Sequence, residues 1–398
     1  MNFSYLFYSK YNLLIVYYLV LGWLAIGVIK TAGEWQQVSY LFYYAVVCGI
    51  SYCLSSYVLN HFKNKSFFKL KMHAQLFISI ALLFTITVAL IQFIKIGNIP
   101  LFTAYFSTDA YDIAKIRQAI TLDSPSWLNY LTSFCIRAIL PLLLLVSLYI
   151  KRYDYFWISV LLSFLFCCSL LQKSYIALVF IPTLLYSLYI GAWKYFFAMI
   201  VVAFTSVMLL VVITNPQIRI NHLNGTKQQQ IGNKSEIAVN SVLDRILIVP
   251  GKVVSQWFTL IPETIPFGHG CGDRLLAKIL HCQHINYSEK VYEQLYPLQL
   301  EEGLLGTVNA ASFMEGYANF GLSGMLLSGI ELGFWFAFIS LILTDFSVLA
   351  LLVNALFILL LSSASFHTLL LSGGWMLTLV LVYLVRDEFK NLDVKCVV

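Results

Sequence analysis

The sequence predicts an all-α polytopic membrane protein of about ten transmembrane helices, and three observations predict it. The 398-residue chain is 60% hydrophobic and only 11% charged, against about 25% charged residues in soluble proteins. Its mean hydropathy is +0.80, leaving too little polar surface to coat a water-facing fold. Apolar runs recur along it at the length, about 20 residues, that crosses a hydrocarbon core of about 30 Å. Aromatics make up 16% of the chain, with 30 Phe and 25 Tyr, and Tyr suits the membrane boundary because its ring sits in lipid while its hydroxyl reaches water.

The apolar runs place helices near 12–30, 38–60, 74–94, 126–150, 154–171, 175–191, 195–214, 317–343, 346–363 and 368–385. The first run, Tyr11 to Ile29, has no small-residue cleavage site after it and reads as a retained helix. The loop after the second helix carries Lys63, Lys65, Lys69 and Lys71, which the positive-inside rule sets on the cytoplasmic side. Alternation then makes Lys10, Lys151–Arg152, Lys194 and the tail from Arg386 to Lys395 cytoplasmic too. Only the Asp345 turn lacks a basic residue on that side, and both termini fall inside. The net charge of +6 thus orients helices. It is no nucleic-acid footprint, because the basic residues sit in short clusters between apolar runs.

The chain divides accordingly. Residues 1–214 hold seven helices with a short outer segment at 95–126, residues 215–316 form a large outer loop, and residues 317–398 hold three helices and a tail. Long loops are where function concentrates. In the first outer segment Asp109, Asp112 and Lys115 share one helical face while Phe102, Tyr105, Phe106 and Ile113 give apolar cover. This reads as an amphipathic helix on the membrane surface or as a substrate contact. The large loop is polar over 221–241 and apolar again over 242–261, interrupted by Pro250–Gly251, as suits a half-buried or re-entrant helix pair. There Ser241, Arg245, Lys252 and Gln256 fall on one stripe, and Arg219 and Arg274 add to the outward cations.

Cys271 and Cys282 also stand in the large loop, eleven positions apart, and pair as a disulfide if that compartment is oxidising. A metal site from Cys271, His281, Cys282 and His284 is the less favoured alternative, since the spacing matches no common zinc pattern. Within the spans, Arg137 lies near the middle of the fourth helix and Glu331 near the middle of the eighth. Charges at that depth need a partner. Either the two form an ion pair, or Arg137 lines a cavity that holds an anionic headgroup. Neither a phosphate-binding Walker loop nor a dinucleotide glycine fingerprint is present.

One stretch is especially informative: Gly306-Thr-Val-Asn309-Ala-Ala-Ser-Phe-Met-Glu315-Gly-Tyr317-Ala-Asn319-Phe320-Gly321-Leu-Ser-Gly324. It resembles the segment before and into a late helix of Wzy-type O-antigen polymerases, relatives of the O-antigen ligases. The layout is similar too: about ten spans, a large outer loop after the seventh, and an outward cation in the turn Gln172-Lys173-Ser174. The ligases usually place a His before this helix, where this chain reads Asn309-Ala310-Ala311.

The resemblance implies a GT-C-like fold with a helical periplasmic loop, seated in a bacterial inner membrane. It implies an enzyme that joins oligosaccharide repeat units carried on polyprenyl diphosphate. Glu315 and Arg245 become the catalytic candidates, with His281 and His284 as alternative bases. Arg219, Arg274, Lys173, Arg137, Lys252, Asn309 and Tyr317 become candidates for holding diphosphate or sugar, because guanidinium groups bind phosphate oxygens in pairs. Lipid-linked transferases that use a metal usually have paired acids in the first outer loop. Thr31–Gln37 holds only Glu34, so no metal and no cofactor are expected. The implied partners are the lipid-linked oligosaccharide, membrane lipid and a chain-length regulator protein. The alternatives are an O-antigen ligase or a lipid-linked oligosaccharide flippase, although no internal repeat of the transporter kind is visible.

Overall fold

The computed structural model describes residues 7–32, 34–61, 71–97, 99–107, 109–122, 124–171, 173–214, 244, 247–390 and 392. Among these residues the chain forms helices and no strand. In order they are α1 (Asn12–Ala32), α2 (Trp35–Asn60), α3 (Ala74–Ile96), α4 (Pro100–Phe106), α5 (Ala110–Leu122), α6 (Ser126–Phe134) and α7 (Leu140–Tyr149). There follow α8 (Tyr153–Leu170), α9 (Lys173–Val179), α10 (Ile181–Tyr189), α11 (Trp193–Ile213), α12 (Val249–Leu260), α13 (Arg274–Ile279) and α14 (Tyr287–Leu295). The chain continues through α15 (Pro297–Glu301), α16 (Met314–Ile342), α17 (Ser347–Leu360), α18 (Phe366–Leu370) and α19 (Trp375–Val385).

Eight of the described helices are long and apolar enough to cross a membrane, with α6–α7 and the run Phe366–Phe389 each counted as one. The other two expected spans, Ala177–Tyr189 and Ser347–Leu360, are shorter. A 14-residue helix such as α17 is about 21 Å long, less than the hydrocarbon thickness. The irregular backbone of 361–365 that follows it therefore has to be satisfied inside protein. It is: the amides of Ser362 and Ser363 donate to the Leu359 and Leu360 carbonyls, and the Ser365 hydroxyl caps α18 by accepting from the Thr368 amide.

Several apolar runs are interrupted where a proline removes a donor. Pro141 cannot donate back to Arg137, and the turn before it opens into a π-helix over Cys135–Ile139. Pro182 divides the expected 175–191 helix into α9 and α10. Pro250 has the opposite effect. It stands in the first turn of α12 and starts that helix, as suits a residue whose N–H is not needed there. Of the expected pair over 242–261, the second helix is α12, and the described residues before it, Asp244 and Leu247, are helical as well, with a turn at Ile248 between.

Small residues set the closest helix contacts. α16 lies along α2, and a Cβ on Gly333 would come within 2.8 Å of the Ser51 side chain. The Ser51 hydroxyl donates to the Ile330 carbonyl at 2.7 Å. Gly27 of α1 meets Gly251 of α12, with 2.8 Å between a would-be Cβ and the facing Cα. At the centre, α17 is buried along nearly all of its length. Its one amide, Asn354, accepts from Trp375 Nε1 at 2.6 Å, and the Trp375 ring stacks on Phe357 at 5.3 Å.

The connections expected on one side do meet at one end of the bundle. The Tyr8 and Tyr189 hydroxyls are hydrogen bonded, and Tyr189 also donates to the Leu392 carbonyl at 2.8 Å. Lys71 pairs with Asp387 at 2.5 Å, the Tyr149 ring lies 4.4 Å from Phe389, and Asn12 donates to the Ser347 carbonyl at 2.9 Å. We call this the tail face, and the end bearing the 249–313 segment the loop face. In the first outer segment, where an amphipathic surface helix is one expectation, α5 turns apolar side chains onto protein: Ile113 and Ile120 cluster with Ala104, Leu171 and Ile213.

Candidate functional site

The expected eighth span is not one straight helix. Phe320 (φ −134°, ψ 18°) and Gly321 (φ 63°, ψ −146°) break α16, and the positive φ is one that glycine adopts without strain. The bend is sharp enough to bring Gly316 against Gly324, where a Cβ on Gly316 would fall 2.8 Å from the Gly324 carbonyl carbon. Met314–Asn319 is thus a short arm on the loop face, and the rod that packs along α2 begins after Gly321. Glu315 and Tyr317 ride on the arm.

A loop from the large segment docks into the break. The Asn319 side-chain oxygen accepts from the amides of Gly270 (3.1 Å) and Gly272 (2.8 Å), and its amino group donates to the Glu315 carbonyl at 2.9 Å. The Gly268 and His269 amides donate to the Ala318 and Asn319 carbonyls. Asn319 thereby closes out the frayed end of the arm, which would otherwise leave backbone groups unsatisfied. Cys271 and Cys282 are joined in a disulfide with their Cα atoms 5.9 Å apart, so neither sulfur is a free ligand for the metal set with His281 and His284. Between them Asp273 caps α13 by accepting from the Leu276 amide at 2.9 Å, which leaves Arg274 exposed at the first position of that helix.

These elements converge on Glu315. The half-buried carboxylate faces the Ser365 hydroxyl, and His367, Asp273 and Arg274 are the charged groups around it. His367 Nε2 lies 3.7 Å from a Glu331 oxygen, with the two side chains 55% and 39% exposed. The Ser362–Gly374 connection carries this cluster to Arg137. The Ser133 hydroxyl donates to the Ser372 carbonyl at 3.1 Å, and Gly374 abuts Ala138 and Phe134. Arg137 donates to the Tyr175 hydroxyl at 3.1 Å and its guanidinium lies 5.5 Å from that ring centre. The expected Arg137–Glu331 ion pair is therefore not formed. The π-turn aims Arg137 at α9, and α18 brings a histidine to Glu331 first.

The remaining candidates distribute as follows. Arg219 and Arg245 lie outside the described residues, as do Ser241 and the polar stretch 221–241. Lys173 opens α9, two residues before Tyr175, but its side chain is outside the described set. Lys252 and Asn309 are exposed on the loop face. Tyr317 is buried, donates to the Ile261 carbonyl at 3.3 Å and packs its ring 4.7 Å from Phe258 and 5.9 Å from Phe267. Its hydroxyl is thus spent on the fold. His281 and His284 are exposed.

Sequence reasoning missed Asp273, Asn319, Ser365 and His367. The one visible signal was a serine-rich gap, Ser362-Ser-Ala-Ser365-Phe-His367, between two apolar runs. Among the described residues no group of three or more His, Cys, Asp or Glu side chains is placed to hold a metal ion. Chemically the cluster offers a carboxylate beside a hydroxyl, an imidazole backed by a second carboxylate, and a cation. That set is suited to moving a proton next to a negatively charged group. Comparison with models of known protein families, with curated proteins and with solved structures finds no match.

Proposed function

We propose that this chain is a membrane glycosyltransferase that polymerises oligosaccharide repeat units carried on polyprenyl diphosphate. The loop face lies outside the bacterial inner membrane, both termini lie in the cytoplasm, and the fold is of the GT-C kind. The observation that carries the reading is the position of Glu315 beside the break in α16, facing the Ser365 hydroxyl with His367, Asp273 and Arg274 as the charged groups around it. That break falls within the stretch that resembles the late helix of Wzy-type polymerases.

In the reaction, a hydroxyl of the incoming unit attacks the anomeric carbon of the growing chain. The carbon–oxygen bond to the diphosphate breaks, and the lipid diphosphate leaves with the electron pair. Glu315 takes the hydroxyl proton. His367, 3.7 Å from Glu331, is the second group able to take part in moving that proton. Arg274, with Arg245 and Arg219 from the same loop, stabilises the charge that builds on the diphosphate. Arg137, hydrogen bonded to Tyr175, is a second cationic position, Lys173 is a further candidate two residues before Tyr175 in sequence, and Lys252 lies on the loop face. The leaving diphosphate supplies the driving force, so no nucleotide enters.

Deletion of the gene tests the reading. A polymerase deletion keeps surface species bearing one repeat and loses the longer ladder, and the cloned gene restores it. Loss of every repeat from the surface identifies a ligase or flippase instead. An unchanged ladder rejects the proposal.

A further inference from the structure

The loop face has a second concavity. A cleft of about 570 Å³ lies between α5 and α14, and its polar lining is Arg117, Gln118, Glu289, Tyr292, Glu293 and Thr307. Two chain segments far apart in sequence build it and are tied together at its edge. The Tyr111 hydroxyl donates to the Glu302 carbonyl at 2.5 Å, and Gln118 Oε1 accepts from the Leu305 amide at 3.3 Å. That bond leaves the Gln118 amino group with both of its N–H donors. A Cβ on Gly306 would run into the Tyr292 ring, so glycine is what allows the ring to sit against this wall.

The lining selects a class of ligand. Glu289 and Glu293 stand one helical turn apart on α14, Glu293 is paired with Lys290 at 2.8 Å, and with Arg117 on the same lining the cleft lacks the excess of positive charge that would hold the diphosphate end of a lipid-linked donor. Carboxylates, an amide and a guanidinium are planar groups with paired acceptors or donors, which match neighbouring hydroxyls two at a time. A tyrosine ring beside them offers apolar area to the C–H face of a sugar ring. Uncharged saccharide meets all of these at once.

The chain itself links the cleft to Glu315. From Thr307 the chain runs on as an irregular segment held on both sides. The Val308 amide donates to the Ser288 carbonyl, the Ser312 amide donates to the Leu361 carbonyl, and Trp257 Nε1 donates to the Val308 carbonyl at 3.1 Å. Glu315 is eight residues beyond Thr307, a reach of at most about 29 Å. We infer that this cleft is a subsite for an uncharged stretch of saccharide, whose other end lies at Glu315. The inference rests on the polymerase reading for its substrate and on the cleft alone for its location.

Carboxyl footprinting on the intact wild-type protein in lipid nanodiscs tests it. The probes are the repeat-unit oligosaccharide released by mild acid from the producing strain's surface polysaccharide, and maltohexaose and chitohexaose. Carbodiimide labelling of Glu289 and Glu293, read by mass spectrometry, is expected to fall at least threefold with a bound probe, while the exposed Glu263 and Glu301 label as before. Glu289→Gln and Gln118→Ala are each expected to weaken binding of that probe about tenfold, the loss of one or two hydrogen bonds. Equal labelling with and without every probe overturns the subsite, whatever the deletion strain shows. Protection by a probe together with an unchanged ladder in the deletion strain keeps the subsite and rejects the polymerase.

Discussion

Glu315 owes its environment to neighbours far away in sequence. Ser365 and His367 come from the other side of α17, and Arg274 from the disulfide loop. Glu315→Gln keeps the size and the hydrogen-bonding capacity and removes the proton acceptor. It is expected to lower turnover by about 10²- to 10⁴-fold with the protein still folded. Ladder length in cells and melting in detergent check the two halves of that statement. Tyr287 gives a pH-dependent prediction outside the spans. Burial pushes its phenol from the usual 10.0 up to about 12, and the neutral form donates to the Pro266 carbonyl at 3.0 Å. An acid whose folded value is raised stabilises the fold fully below the unfolded value, and that contribution fades as the pH climbs through the window. The melting temperature should therefore fall between about pH 10 and 12, and Tyr287→Phe should remove part of that slope. An unchanged slope in the variant would show that Tyr287 carries none of it.

At the scale of elements, the break in α16 separates the chemistry from the scaffold. The rod after Gly321 packs on α2 through glycines, while the arm before it presents Glu315. The reversal depends on Gly316 and Gly324 touching, because a Cβ on Gly324 would fall on the Gly316 carbonyl. Gly324→Val is expected to destabilise the fold by about 1–3 kcal/mol, the usual range for overpacking, and to reduce activity by moving the arm. Gly22, which has nothing within 4 Å of its would-be Cβ, is the control position, and Gly22→Ala should melt like the wild type. Had the motif been an ordinary straight span, both variants would behave alike.

Taken whole, the described residues bring Tyr8, Tyr189 and Leu392 together at the tail face and gather the candidate chemistry at the loop face. That arrangement predicts a labelling pattern. With the other free cysteines replaced, a cysteine at the exposed Asn309 should react with a membrane-impermeant maleimide in spheroplasts. One at the exposed Asn60 should react only after lysis. The reverse pattern would invert the protein in its membrane and remove the basis for an outward-facing polymerase.

The sequence alone determined that the chain is a multi-span helical membrane protein, and it located most of the spans to within a few residues. Both follow from local quantities, the length and polarity of each run, which the lipid reads one helix at a time. It also marked Glu315 as a candidate, through the resemblance of the stretch that holds it. Tertiary structure decided the rest. The sequence could not tell that Glu331 would meet His367 instead of Arg137, because the choice depends on how α18 and the π-turn are aimed. Nor did helical periodicity reveal that α16 breaks at Gly321, since glycine is as common in close-packed membrane helices as at turns. Asn319 and Ser365 looked like ordinary polar residues until the folded chain gave them two loop amides and a carboxylate to meet. A partner is a property of three-dimensional proximity, and in a bundle of this size the residues that meet at the site lie dozens of positions apart.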